Sequence, residues 1–192
     1  MARPREFEVD QALRDAAEVF RHKGYHAASL DDLIQGTGLA KGSLYKAFHD
    51  KKTLFLEALD LYARESRGRF EETLNAPGSP KEAIRNSLVG YIERMRTSSG
   101  TAGCLVTNTA VEIGHQDEEI SQHVRDSFRR RTALFEAAVR RAQDAGEIDP
   151  ARDTRQLAEF LEIIVQGIRV AVKTAPDEAP LLRAVEVAML AL

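Results

Sequence analysis

An all-α fold of about nine helices is predicted by three observations on the 192-residue sequence. Apolar residues recur at three- and four-residue spacing along nearly the whole chain. Helix-start signatures precede several of these stretches: Ser29 with Asp32, Ser79 with Pro80 and Glu82, and Asp153 with Gln156. Glycine and proline punctuate the pattern at Gly24, Gly36 to Gly38, residues 75–80 and Gly146.

With 43% apolar residues the chain can bury a sizeable core without staples. Its single cysteine, Cys104, has no internal disulfide partner. The N-terminal residues lack a charged-then-apolar leader pattern, and no window nears 18 uninterrupted apolar residues. A cytoplasmic protein, with no membrane partner, is expected. The net charge of −3 conceals an asymmetry. Residues 1–55 carry nine Lys/Arg against eight Asp/Glu, and between Asp32 and Glu57 the only acid is Asp50, against four lysines and His49. A local basic surface on a globally acidic chain is compatible with DNA binding.

Val9, Leu13, Ala16, Ala17 and Phe20 lie on one face of a first helix over residues 9–23, preceded by Arg3 and Arg5 in a short flexible arm. Ser29 caps a second helix that turns Leu30, Leu33 and Ile34 inward, and two glycines around Thr37 supply a tight corner. The third helix, from Ala40 to Phe48, sends only Leu44 and Phe48 to the core. Lys41, Gly42, Ser43, Tyr45 and Lys46 fall on its other faces. Lysine pairs with phosphate or guanine edges, a tyrosine hydroxyl donates to phosphate, and a glycine or small hydroxyl permits close approach to the groove floor. Two short helices, a glycine corner and a polar second helix make a helix-turn-helix.

The segment GTGLAKGSLYKAFHDKKTLF resembles the signature of the tetracycline-repressor (TetR) family of bacterial transcriptional regulators, over about residues 9–60. The resemblance implies a three-helix DNA-binding domain, here residues 1–52, and a larger helical ligand-binding and dimerisation domain, residues 53–192. It implies that Lys41, Gly42 and Ser43 face bases, that Tyr45 and Lys46 hold phosphate, and that Lys51 grips the backbone from the start of the fourth helix. Ser29 completes the expected DNA-binding set. Ala40 and Ala47 depart from the family pattern, where a capping hydroxyl and a phosphate-binding histidine are common.

The fourth helix, capped by Asp50, carries Leu54, Leu56, Leu59, Leu61 and Tyr62 on more than one side and therefore needs two neighbours. A helix from Ser79 keeps Ile84, Leu88, Tyr91, Ile92 and Met95 in register until Thr97 to Gly100. Residues 103–114 place Cys104, Asn108 and Glu112 at intervals of four, a polar stripe that forms either a ligand-pocket wall or a satisfied structural network. With Tyr62, Tyr91 and Met95, these three are the candidate ligand-binding residues.

A long helix from Asp117 to Arg141 turns Ile120, Val124, Phe128, Leu134, Phe135 and Val139 inward, and its Arg129-Arg130-Arg131 run is expected on a solvated face. The last two helices carry apolar residues on two sides. Leu161, Val165, Ile168, Val172, Leu182, Val185 and Met189 are the candidate homodimer interface, as the resemblance also implies.

The expected function is a ligand-responsive DNA-binding regulator, a repressor that leaves a palindromic double-stranded operator when a small effector binds. An alternative is sensing of electrophiles or oxidants through Cys104. An enzyme is disfavoured because the chain has no GxSxG, P-loop or GxGxxG pattern. His115, Asp117, Glu119 and His123 could be written as a metal cluster, but are expected as a solvated loop and helix start; no cofactor is implied.

Overall fold

The computed structural model describes residues 3–95, 102–175 and 177–192. Among the described residues the fold is all-α, with nine helices: α1 (Arg3–Lys23), α2 (Leu30–Thr37), α3 (Lys41–Phe48), α4 (Lys51–Leu74), α5 (Pro80–Met95), α6 (Leu105–Glu112), α7 (Glu118–Asp144), α8 (Thr154–Ala171) and α9 (Ala179–Leu190). None is long and apolar enough to cross a membrane. The expected stop at Thr97 to Gly100 lies outside the described residues.

The chain forms two compact units, one of Met1–Ser66 with Cys104–Arg125, the other of Arg67–Gly103 with Asp126–Leu192. This division differs from the expected boundary at residue 52. The first half of α4, all of α6 and the start of α7 belong with the helix-turn-helix.

In the first unit Ala16, Ala17, Phe20, Leu33, Leu44, Phe48, Phe55 and Ala58 form the buried core. Phe55 meets Phe20 edge-on at 4.9 Å. Helix α1 begins at Arg3, so the expected arm is helical, and Val9 is exposed rather than inward. It stops at Gly24, whose φ of +82° favours glycine and whose N–H donates to the Phe20 carbonyl at 2.8 Å. Gly36 permits a close helix approach: a Cβ there would sit 2.3 Å from a methyl of Val19.

The second unit is built around Phe70, Ile84, Leu88, Tyr91, Ile92, Phe135, Val139, Leu161, Val165 and Val185. The α5 start is fixed from a distance: Glu147 accepts from the Ser79 hydroxyl at 2.9 Å and from Lys81 N–H at 2.8 Å.

Two expectations on this unit need correction. Leu161, Val165, Ile168, Val172, Val185 and Met189 are buried in the chain's own core, with Leu182 packed against it, so they do not present a surface to a second subunit. Helix α8 is apolar on two faces, and spacing alone cannot say which turns inward; the outer face carries Ile163 and Val170, 68% and 54% exposed. The arginine run also divides. Arg129 pairs with Asp126 at the surface, whereas Arg131 is buried and forks onto Glu162 at 2.6 and 2.5 Å.

Candidate nucleic-acid interface

The α2–α3 corner is a set of local hydrogen bonds written into neighbouring residues. Ser29 Oγ accepts from Asp32 N–H at 3.1 Å while the Asp32 carboxylate accepts from Ser29 N–H at 2.9 Å, a complete capping box. Lys23 donates to the same carboxylate at 2.6 Å. This contact, then the two bonds with Ser29, hold the Asp32 carboxyl down at about 2. Gly38 closes α2 in the left-handed conformation, φ +68°, its N–H on the Ile34 carbonyl. The Thr37 hydroxyl donates to the Leu33 carbonyl at 2.7 Å and accepts from Leu39 N–H at 3.3 Å, bridging the turn.

Helix α3 starts at Ala40 with no side-chain cap, as its sequence foretells. Only Leu44 and Phe48 are buried. Lys41, Gly42, Ser43, Tyr45, Lys46 and Ala47 form an exposed surface, with Tyr45 46% exposed. Lys41 and Lys46 have no carboxylate partner among the described residues. A Cβ built on Gly42 meets nothing within 4 Å, so no contact inside the chain demands glycine there.

At the α4 start, Asp50 accepts from Thr53 N–H at 2.7 Å. Lys51 donates to the His26 carbonyl at 3.3 Å and lies 4.9 Å over the Tyr25 ring. Lys52 bridges Asp117 at 2.7 Å and Glu119 at 2.9 Å, which raises the ammonium pKa and lowers that of Asp117. His123 meets Asp60 at 2.8 Å. Of the residues that could have been written as a metal cluster, Asp117 and Glu119 thus share Lys52, and His123 pairs with Asp60.

The six candidate ligand residues fall in both units: Tyr62, Cys104, Asn108 and Glu112 are in the first, Tyr91 and Met95 in the second. Asn108 donates to the Arg21 carbonyl at 3.3 Å. Glu112 accepts from the backbone N–H groups of Tyr25 at 2.9 Å and His26 at 2.8 Å, across 87 and 86 positions of sequence. The polar stripe therefore fastens α6 to the end of α1, the structural-network alternative for these two residues. Cys104 is only 2% exposed and stands at the N-cap of α6 without a side-chain capping bond, so its thiol is withheld from solvent reagents.

Residues 12–58 match the family described as bacterial regulatory proteins, tetR family, and residues 80–188 match the tetracyclin repressor-like C-terminal domain. The chain belongs to the TetR family. The first match runs from the middle of α1 through α2 and α3 to the first turns of α4, and the C-terminal match runs from α5 into α9. The chain is 33% identical to the HTH-type transcriptional regulator YezE of Bacillus subtilis over 84% of each protein. It is 30% identical to the HTH-type transcriptional repressor ComR of Escherichia coli, over 89% of this chain and 82% of ComR. Among solved structures it resembles the TetR-family regulator CifR, a cysteine mutant complexed with 26-bp double-strand operator DNA. The TM-score is 0.85, with 29% identity and 95% of each chain covered. As a TetR-family protein the chain is a DNA-binding transcriptional regulator, not an enzyme.

Sequence reasoning named Glu112 but not its partners, and did not name Arg169. Glu112 was visible as polar, but its partners at Tyr25 and His26 carried no sequence signal. Arg169 carried one: it stands four residues after Val165 and three before Val172, on the apolar stripe of α8.

Proposed function

We propose that this regulator is a homodimeric repressor that occupies a palindromic operator and releases it when a small effector binds the C-terminal unit. The observation that carries the DNA reading is α3: two buried anchors, Leu44 and Phe48, and a polar remainder with two unpaired lysines. In this reading Lys41, Gly42 and Ser43 meet base edges in the major groove, and Ser29, Tyr45, Lys46 and Lys51 hold phosphates.

One helix-turn-helix buries little surface, so useful affinity calls for two, spaced by about 34 Å on a symmetric site. Exposed apolar residues on the outer faces of α8 and α9 support pairing there: Ile163 and Val170 on one, Val187 and Leu190, 65% and 85% exposed, on the other. Tyr91 and Met95 in the second unit are the effector-side candidates that this reading retains.

Fluorescence polarisation with the chain's own upstream DNA tests the proposal. Lys46 and Lys51 from two subunits neutralise about four phosphates, for a slope of log K against log salt near −4. A salt-independent signal, or none, refutes it.

A further inference from the structure

The second unit contains a buried guanidinium whose N–H groups are not all met by acceptors among the described residues. Arg169, on the inward face of α8, is 1% exposed, and its Nε and Nη1 are buried without a hydrogen-bond partner. The Tyr91 hydroxyl of α5 is likewise buried and unpartnered. The two side chains are neighbours: the Arg169 guanidinium carbon lies 4.6 Å from the centroid of the Tyr91 ring. The Arg94 guanidinium also lies over that ring, at 5.0 Å, folded back against Gly90, where a Cβ would sit 2.9 Å from Nη1.

A guanidinium does not lose its proton in a protein, so burial cannot be relieved by neutralisation. Ring faces offset part of the cost, but they accept no hydrogen bond along the N–H directions. Nor does the surrounding charge balance. Arg94 is held below its ordinary pKa, first by loss of water, with Arg69 and Arg169 adding repulsion and Tyr91 and Glu93 acting in the opposite direction. The contrast with Arg131 is direct: the other buried arginine of this unit has its carboxylate, Glu162, in a two-bond fork.

We infer that Arg169 and Tyr91 form the anchor for the carboxylate of a small organic acid, in the interior of the C-terminal unit. The planar fork of a guanidinium matches a carboxylate, and the tyrosine hydroxyl adds a third donor. The neighbouring core residues Phe70, Leu88, Phe135 and Ile168 suit an apolar body behind the acid group. The inference rests on the effector-controlled reading above and narrows its effector to a carboxylate with an apolar remainder.

The full-length protein is tested by thermal unfolding with sodium benzoate and sodium hexanoate. Benzamide and hexanamide are the neutral counterparts, and sodium chloride and sodium phosphate at equal ionic strength are the ionic controls. Each variant's own Tm is its reference. A carboxylate at about 100 times its Kd raises Tm by roughly 5–10 °C in the parent, and the amides and chloride do not. The shift disappears in Arg169→Met and falls in Tyr91→Phe. If Arg169→Met does not fold, Arg169→Lys replaces it, keeping the charge and losing the fork; a reduced shift there supports the site.

Equal shifts with acid and amide overturn the inference, as does no shift with either acid, or a full shift in both Arg169→Lys and Tyr91→Phe. A shift with phosphate alone shows a general oxyanion site and overturns the organic-acid assignment. Operator binding measured in parallel separates the two proposals. Carboxylates that bind without releasing DNA leave the anchor standing and remove effector control. A neutral compound that releases DNA while no carboxylate binds removes the anchor and leaves effector control.

Discussion

Replacing Glu112 with alanine removes two hydrogen bonds that no nearby group can replace. Its carboxylate accepts from Tyr25 N–H at 2.9 Å and His26 N–H at 2.8 Å, and a Cβ on Gly24 would meet the same carboxylate at 2.7 Å. Hydrogen bonds to a charged group contribute about 1.5–3 kcal/mol each. Glu112 is only part-buried and His26 is exposed, so water recovers part of this on deletion. The expected loss for Glu112→Ala is therefore about 2–3 kcal/mol, and about 1–2 kcal/mol for Glu112→Gln, which keeps one acceptor oxygen. Amide exchange reads the effect locally. Protection at Tyr25 and His26 should fall by about 30- to 150-fold in the alanine variant, while amides in the middle of α8 keep theirs. Operator affinity should fall as well, because the His26 carbonyl also receives the Lys51 ammonium and Ser29 lies three residues beyond. Unchanged exchange at both amides, with stability within about 0.5 kcal/mol of the parent, would refute the reasoning.

Gly42→Ala separates DNA contact from folding: the added methyl meets nothing in the chain and a helix gains up to about 1 kcal/mol from it, yet operator affinity should fall tenfold or more; unchanged affinity sinks the close-approach role. Asp32 is depressed to about 2 from 3.8, and Asp50 and Asp117 are lowered too, so their stabilisation is complete above the ordinary carboxylate range and lost as pH falls through it towards 2. Tm measured from pH 5 down to 2 should therefore fall less steeply in Asp32→Asn than in the parent. Glu162→Ala strands the buried Arg131 and should cost about 3–5 kcal/mol in urea unfolding, most of it returned by the apolar pair Arg131→Met with Glu162→Leu. Val187→Glu with Leu190→Glu should give a folded monomer by light scattering, whereas Val185→Glu, at a position 0% exposed, should unfold the chain; a dimer surviving the first pair would exclude this α9 face as the interface.

What the sequence could convey about the fold depended on whether the relevant physics was local. The α2–α3 corner was legible at Ser29, Asp32 and Gly38, which act on atoms within four residues of themselves, whereas Gly36, expected to supply the turn, lies inside α2 against Val19. The uncapped start of α3 at Ala40 was legible too. Apolar spacing located the helices for the same reason. It could not rank the two apolar faces of α8, because Leu161, Val165 and Ile168 have the same chemistry as Ile163 and Val170, and only packing against α5 and α9 distinguishes them. The Arg129-Arg130-Arg131 run met a similar limit, since the carboxylate that draws Arg131 inward lies 31 positions away on another helix.

The placement of Asn108 and Glu112 alters what α6 does for the regulator. On sequence they could line an effector pocket. In the fold they hold α6 to the carbonyl and N–H groups around Arg21, Tyr25 and His26, and the loop after α6 holds Lys52 through Asp117. Residues 104–125 are thus part of the unit that carries α2 and α3, although residues 67–103 lie between the two segments of that unit in the chain. A segment committed by three hydrogen bonds to backbone groups and an ion pair is poorly suited to admit a ligand without first giving these up. It is well suited to fix the corner from which α2 and α3 depart. Effector chemistry is better sought where polar atoms remain unspent, and among the described residues the buried ones are Tyr91 and Arg169.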